Sequence, residues 1–141
     1  MRLRSSLFLL LVLGLAFGLT GCGGPSLPKT ISVSGKVTYK GQPLKGAAVL
    51  FIAKKGPPAQ AVTDASGAFK LGTYKSGDGA VPGEYGVAIS AVVDPNPGAT
   101  YIDASTAKLK WLIPAKYGSA ETSKLTATVA KGQQEFTFNL D

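Results

Sequence analysis

The sequence predicts an all-β protein, and three observations carry that prediction. Apolar side chains recur at every second position in several short segments, which is the period of a strand with one buried face. Glycine and proline are abundant without a repeat, with 18 and 9 residues in a chain of 141, as in turn-rich β-proteins. The chain after residue 30 contains no convincing amphipathic helix. Seven short strands at regular spacing favour a single β-sandwich.

The first strands are marked by alternation and by the turns between them. The segment ISVSGKVTY has one apolar side, made of Ile31, Val33, Val37 and Tyr39. The segment AAVLFIA (47–53) is apolar on both sides, which predicts a central strand. The segments QAVT and AFKLGT flank residues 64–67, where Asp at the first position and Gly at the last favour a type I hairpin turn.

The remaining strands complete the predicted core. The pair Pro82-Gly83 favours a turn, and the strand after it turns Tyr85, Val87 and Ile89 inward. Two further strands lie either side of Lys131-Gly132. Their inward side chains are predicted to face each other: Leu125, Ala127 and Val129 against Phe136, Phe138 and Leu140. We expect the phenylalanines of these strands to be buried, namely Phe51, Phe69, Phe136 and Phe138.

The N-terminus has the pattern of an export signal. A basic start with Arg2 and Arg4 precedes the apolar run LFLLLVLGLAFGLT, which is shorter than the ~20 residues that span a bilayer. The run ends in Leu19-Thr20-Gly21-Cys22, which resembles the bacterial lipobox. That resemblance implies that the Cys22 thiolate is alkylated by a diacylglyceryl group and that the chain is cut before it. Residues 1–21 are then a signal helix outside the fold, 22–30 a lipidated cysteine with a flexible tether, and 31–141 the domain.

Composition narrows the chemistry that the domain can perform. The chain has no histidine, the usual general base near neutral pH and the commonest transition-metal ligand. Its only cysteine is the one in the lipobox-like stretch. Without the signal, the chain has 13 lysines, eight acidic residues and no arginine. Because arginine makes the bidentate contacts to bases and phosphates, a chain without it is poorly suited to recognise nucleic acid. We therefore expect no enzyme, no cofactor, no metal site and no nucleic-acid partner.

One segment interrupts the regular strand spacing. Residues 94–116, DPNPGATYIDASTAKLKWLIPAK, form a long connection that is rich in bulky apolar groups. The favoured interpretation is that it folds back over Leu50 and Ile52 and buries Trp111. The other interpretation is an aromatic recognition patch made of Trp111, Tyr101 and Tyr117.

Three weaker chemical hypotheses also arise. They are an S-x-x-K match at 105–108, a calcium site using Asp94 or Asp103, and an isopeptide between Lys36 and Asn139. The first lacks the partner motifs S-D-N and K-T-G. The second lacks calcium-loop spacing. For the isopeptide, the alternation of inward and outward side chains places both Lys36 and Asn139 on the outward sides of their strands.

Four blocks together resemble the carboxypeptidase-regulatory-like, or transthyretin-like, domain. They are G-x-V in SGKVTY, then GQPLKGAAV, TDASGAF and PGEYGV, in that order. The segment after residue 112 resembles the C-terminal block of small bacterial lipoproteins that carry this domain alone. The resemblance implies a seven-stranded prealbumin-like Greek-key sandwich, and it implies no established activity.

Together these features lead us to expect a non-catalytic structural or interaction module. Acylated Cys22 would hold it in the bilayer of the bacterial cell envelope, facing the periplasm or the cell exterior. Its partner would be an unidentified envelope protein or glycan. The alternative is a carbohydrate- or cell-wall-binding module that uses an aromatic patch around Trp111.

Overall fold

The computed structural model describes residues 26–93 and 110–141, and most of them form strands or the turns between strands. Between β8 and β9 lie a 3₁₀ helix (Ala115–Gly118) and a single helical turn, α1 (Ala120–Ser123). Seven strands occupy the predicted segments, and three further strands have two residues each. The strands are β1 (Ser34–Tyr39), β2 (Gln42–Pro43), β3 (Ala48–Ala53), β4 (Ala59–Val62), β5 (Ala68–Lys70), β6 (Gly83–Ser90), β7 (Val92–Val93), β8 (Lys110–Trp111), β9 (Leu125–Val129) and β10 (Glu135–Leu140).

Two four-stranded sheets face each other across one core. In the β1 sheet, β10 pairs with one edge of β1, while β2 and β5 share the other edge. The β3 sheet has the order β4-β3-β6-β9, and all its neighbours are antiparallel. The pairing of β1 with β10 is parallel and joins the first long strand to the last. A separate two-stranded ribbon is formed by β7 and β8.

The core is built from alternate side chains of both sheets, as the period-two pattern predicts. Phe51 of β3 is fully buried at its centre. Its ring lies 5.7 Å from the ring of Phe136, measured between centroids, and 6.0 Å from that of Phe138, both edge-on. Phe69 and Tyr85 complete the set at 6.3 and 5.7 Å. The predicted burial of all four phenylalanines is therefore confirmed.

The central strand β3 has the predicted position, between β4 and β6. Its outer face is only partly covered, because Leu50 is half-buried and Ile52 is 43% exposed. On the neighbouring strand β6 the outer face is packed by α1. A Cβ at Gly86 would lie 3.0 Å from that of Ala120, so glycine is what allows this close approach. The chain's own helical turn thus covers the β6 part of this face.

The turn at 64–67 connects the two sheets, although it has the predicted hairpin residues. β4 belongs to the β3 sheet and β5 to the β1 sheet, and Gln60 and Gly72 form a single bridge between these segments. The Asp64 carboxylate accepts hydrogen bonds from the Ser66 and Ala68 amides at 2.8 and 3.0 Å. These bonds hold the pKa of Asp64 below its usual value, with the Ser66 hydroxyl making the largest contribution.

Candidate functional site

The predicted lipidation site lies outside the described residues. This holds for Cys22 and for the three residues before it, Leu19, Thr20 and Gly21. The described chain begins at Ser26 and enters the domain at Ile31, which exchanges two backbone hydrogen bonds with Ala80, at 2.9 and 3.0 Å. Residues 26–29 are exposed. The N-terminal segment is therefore hydrogen-bonded to the sandwich just before β1.

The three aromatic residues predicted to form a recognition patch do not share one surface. Trp111 lies in β8 and is 44% exposed, so the favoured prediction that it is buried on Leu50 and Ile52 is wrong. The edge of its ring lies over Gly118, where a Cβ would be 3.2 Å away. Tyr117 is buried in the core instead. Tyr101 lies outside the described residues. Of the three, Trp111 is the one that presents an aromatic surface in the described part of the chain.

Tyr117 has a structural role that the sequence did not reveal. Its hydroxyl donates a hydrogen bond to the Asp141 carboxylate at 2.5 Å. That bond, followed by the charge of Lys116, holds the pKa of the Asp141 side chain below its usual value. The Lys116 ammonium lies 4.7 Å from the centre of the Tyr117 ring and 3.7 Å from the Asp141 carboxylate. Tyr117 thus joins the segment before β9 to the end of β10.

The β7–β8 ribbon carries a group of exposed apolar side chains. We use this name for the paired strands together with the residue that follows them, Leu112. Val92 lies opposite Trp111, and Val93 lies opposite Lys110. The base of the ribbon is fixed, because the Leu112 amide donates to the carbonyl of the buried residue Ala91 at 2.9 Å. The exposed side chains are Val92, Val93, Trp111 and Leu112.

A second surface is a groove of about 970 Å³ beside β4 and β5. Its floor includes the outer side chains of Leu50, Val62 and Ala88. Lys70, Tyr74 and Lys75 lie at its rim, together with the polar groups of Gln60 and Ser90. An apolar floor with a basic and aromatic rim is suited to binding a partner that has both apolar and anionic groups. The sequence pattern did not predict this groove.

The rim is shaped by Asp78, a residue that sequence reasoning missed. Its two carboxylate oxygens accept hydrogen bonds from the Thr73, Tyr74 and Lys75 amides at 2.7, 3.1 and 3.0 Å. The bond from Thr73 contributes most to holding the pKa of Asp78 below its usual value. An Asp between two glycines, as in Gly77-Asp78-Gly79, is the available signal for such a loop-closing carboxylate.

The contacts of the described residues do not support the three weaker chemical hypotheses. Lys36 lies opposite Thr137, two positions away from Asn139 along β10. The Asn139 side chain accepts a hydrogen bond from Thr38 at 2.8 Å, so it is not directed to the lysine. Within 26–93 and 110–141, no three His, Cys, Asp or Glu side chains come together as metal ligands. Ser105, Lys108, Asp94 and Asp103 lie outside those ranges.

Comparison of the chain with protein-family models, with curated proteins and with solved structures finds no match. Among the residues that the structure describes, no helix has the length and apolarity needed to cross a bilayer.

Proposed function

We propose that this protein is a lipoprotein of the bacterial cell envelope, anchored through acylated Cys22, whose β-sandwich is a non-catalytic structural or interaction module. The observation that carries the proposal is Leu19-Thr20-Gly21-Cys22, which directly follows an apolar run and contains the only cysteine. Two or three acyl chains hold a protein stably in a bilayer, where one chain gives only marginal binding. The domain then faces the periplasm or the cell exterior.

The assignment of the domain to the prealbumin-like family is also a proposal, supported by the roles of its motif residues. Thr63, from TDASGAF, donates its hydroxyl to the Leu44 carbonyl and accepts from the Ala47 amide at 2.5 and 2.8 Å. It therefore links two of the four blocks. Tyr85, from PGEYGV, donates its hydroxyl to the Val81 carbonyl at 2.6 Å, like the tyrosine corner of other sandwich domains. The motif positions act as fold determinants.

An interaction role fits the two open surfaces better than a purely structural one. The groove and the β7–β8 ribbon both leave apolar side chains exposed beside lysines. A domain that served only as a spacer would gain nothing from such surfaces. We therefore propose an envelope protein or an envelope glycan as the partner.

The anchor is tested by Cys22→Ala, compared with Ser26→Ala as the control four residues further along the chain. We expect Cys22→Ala to remain an unprocessed precursor or to be released as soluble protein, while Ser26→Ala stays in the membrane fraction. Cells are labelled with a radioactive fatty acid and then fractionated. Normal acyl incorporation into the Cys22→Ala variant would refute the proposal.

The second candidate function is carbohydrate or cell-wall binding, and the exposed ring of Trp111 favours it. Among the described residues, Trp111 is the exposed member of the predicted patch, since Tyr117 is buried. Retention of the protein on purified peptidoglycan is the appropriate assay. If this candidate is right, Trp111→Ala loses retention, while Leu27→Ala, an exposed apolar residue outside the groove and the ribbon, keeps it. Equal retention of both variants would remove this role for Trp111.

A further inference from the structure

The apolar side chains of the β7–β8 ribbon lie together, outside both sheets of the sandwich. Val92, Val93, Trp111 and Leu112 are each 40–44% exposed. Single exposed apolar residues are ordinary on protein surfaces, whereas a group of four neighbours marks an interaction surface. The register places Val92 and Trp111 on one face of the ribbon, while Val93, Lys110 and Leu112 lie on the other face.

The exposure of this surface is fixed by the fold at the base of the ribbon. Ala91 and Ile113, which flank the ribbon, are buried in the core. The Leu112 amide bonds to the Ala91 carbonyl at 2.9 Å, and the Trp111 ring lies over Gly118, where there is no side chain to displace it. The core therefore holds the ribbon in place, with its four apolar side chains partly exposed.

The residue types indicate which partner the ribbon fits. Tryptophan concentrates at the boundary between lipid headgroups and acyl chains. Lysine extends an apolar stem that keeps its charge at the headgroups, and Lys110 lies within the ribbon. No acidic residue occurs in 91–93 or 110–120. With a net charge of +5 after removal of the signal, the chain is also attracted to anionic lipids.

The tether allows this surface to reach a bilayer. Ile31 is the ninth residue after Cys22, so an extended tether spans at most about 30 Å. That length is comparable with the diameter of a domain of this size, roughly 30 Å. The anchor alone therefore does not decide which face of the domain meets the membrane. An apolar surface on one side of the domain decides which face meets the membrane.

We propose that the β7–β8 ribbon inserts shallowly into the lipid bilayer and orients the anchored domain on its surface. The proposal rests on the proposed function in one respect, since acylated Cys22 is what brings the domain to the membrane. Trp111 would lie at the level of the headgroups, with Val92, its partner across the ribbon, against the first part of the acyl chains.

The experiment uses the fluorescence of Trp111, the only tryptophan in the chain. The full chain is purified from bacterial membranes and reconstituted into vesicles of phosphatidylethanolamine and phosphatidylglycerol. These carry bromine, a short-range quencher, at shallow or deep positions of the acyl chains. We expect a blue-shifted emission that the shallow bromines quench more strongly than the deep ones, and loss of quenching by aqueous iodide. The control combines Trp111→Phe with Thr137→Trp, which moves the probe to the outer face of the β1 sheet, where lipid quenching should be lost.

Each other result overturns the proposal. Quenching by iodide but not by brominated lipid would show a ribbon that stays in water. Protection from both quenchers would show that protein covers it, either this chain or a second copy. A change of emission caused by peptidoglycan fragments alone would favour glycan binding.

Acylation of Cys22 is measured separately, from the mass of the peptide that contains this residue. An unmodified Cys22 would refute the anchor only. The same chain is then coupled through the Cys22 thiol to a maleimide lipid in the same vesicles. Trp111 should still show lipid quenching there, and its absence would refute the ribbon.

Discussion

Replacing Phe51 by alanine tests the packing on which the whole sandwich depends. Phe51 is completely buried and lies against four aromatic rings from both sheets. Truncation of a buried phenylalanine costs about 3–5 kcal/mol, and each aromatic pair lost adds roughly 0.5–1.5 kcal/mol beyond area burial. The four pairs place the expected loss near the top of the first range, about 5 kcal/mol. That is a third or more of the stability of a typical domain, ~5–15 kcal/mol.

The matched control is Ile52→Ala, the next residue on the same strand. Ile52 points to the opposite face and is 43% exposed, so its truncation should cost only about 1 kcal/mol. Urea unfolding followed by circular dichroism measures both variants. With a slope of ~2 kcal/mol per molar urea, Phe51→Ala should lower the midpoint by about 2.5 M and Ile52→Ala by about 0.5 M. Equal shifts would show that β3 does not turn alternate residues into one core, and the assignment of faces would be wrong.

Three further predictions concern turns and loops. Gly67→Ala should cost about 1–3 kcal/mol in thermal unfolding, because residue 67 has φ +76° and a Cβ there would lie 2.4 Å from a backbone oxygen. Gly41→Ala, with φ +78° and open space, should cost about 1 kcal/mol, and a cost equal to that of Gly67→Ala would refute the steric argument. Thr63→Val should cost about 1–3 kcal/mol, since it leaves the Ala47 amide and the Leu44 carbonyl without their buried partner; an unchanged melting temperature would contradict this. The pKa of Asp78 is lowered in the folded state, so its contribution is present above the ordinary carboxyl pKa and is lost as pH falls through the folded value. Asp78→Asn should therefore flatten the acid side of the stability–pH curve, and an unchanged acid side would refute its loop-closing role.

The strand positions and their inward faces could be predicted because alternation reports burial directly. Phe136 and Phe138 are buried. Thr137, which lies between them, and Asn139, which follows them, are exposed, as the alternation predicts. Alternation does not show to which of the two sheets a strand belongs. Residues 64–67 have hairpin chemistry, yet the chain crosses from one sheet to the other there, because β5 bonds to β1 along its length. Local turn residues do not specify which distant strand will pair.

The candidate site could be predicted only in part, for a different physical reason. A tryptophan in an apolar segment can pack inward or remain at an open surface, and periodicity does not distinguish the two. Trp111 stays at the surface, whereas Ile113 and Tyr117 of the following segment lie in the core. Tyr117 in turn finds its hydroxyl partner at Asp141, 24 residues further along the chain. Such a pairing has no local signature in the sequence.

The position of the tether also matters for how an anchored domain carries force. Ile31 leads directly into β1, which is paired with β10 along one edge and with β5 and β2 along the other. A pull on the N-terminus acts along the strand, so the hydrogen bonds on both edges of β1 are loaded together. A tether that entered an edge strand from its side would instead peel the bonds one at a time. If the domain is anchored at Cys22 as proposed, entry through β1, which pairs with three strands, distributes the load over the whole β1 sheet. The hydrophobic contacts of Val33 and Val37, both fully buried, oppose the same displacement.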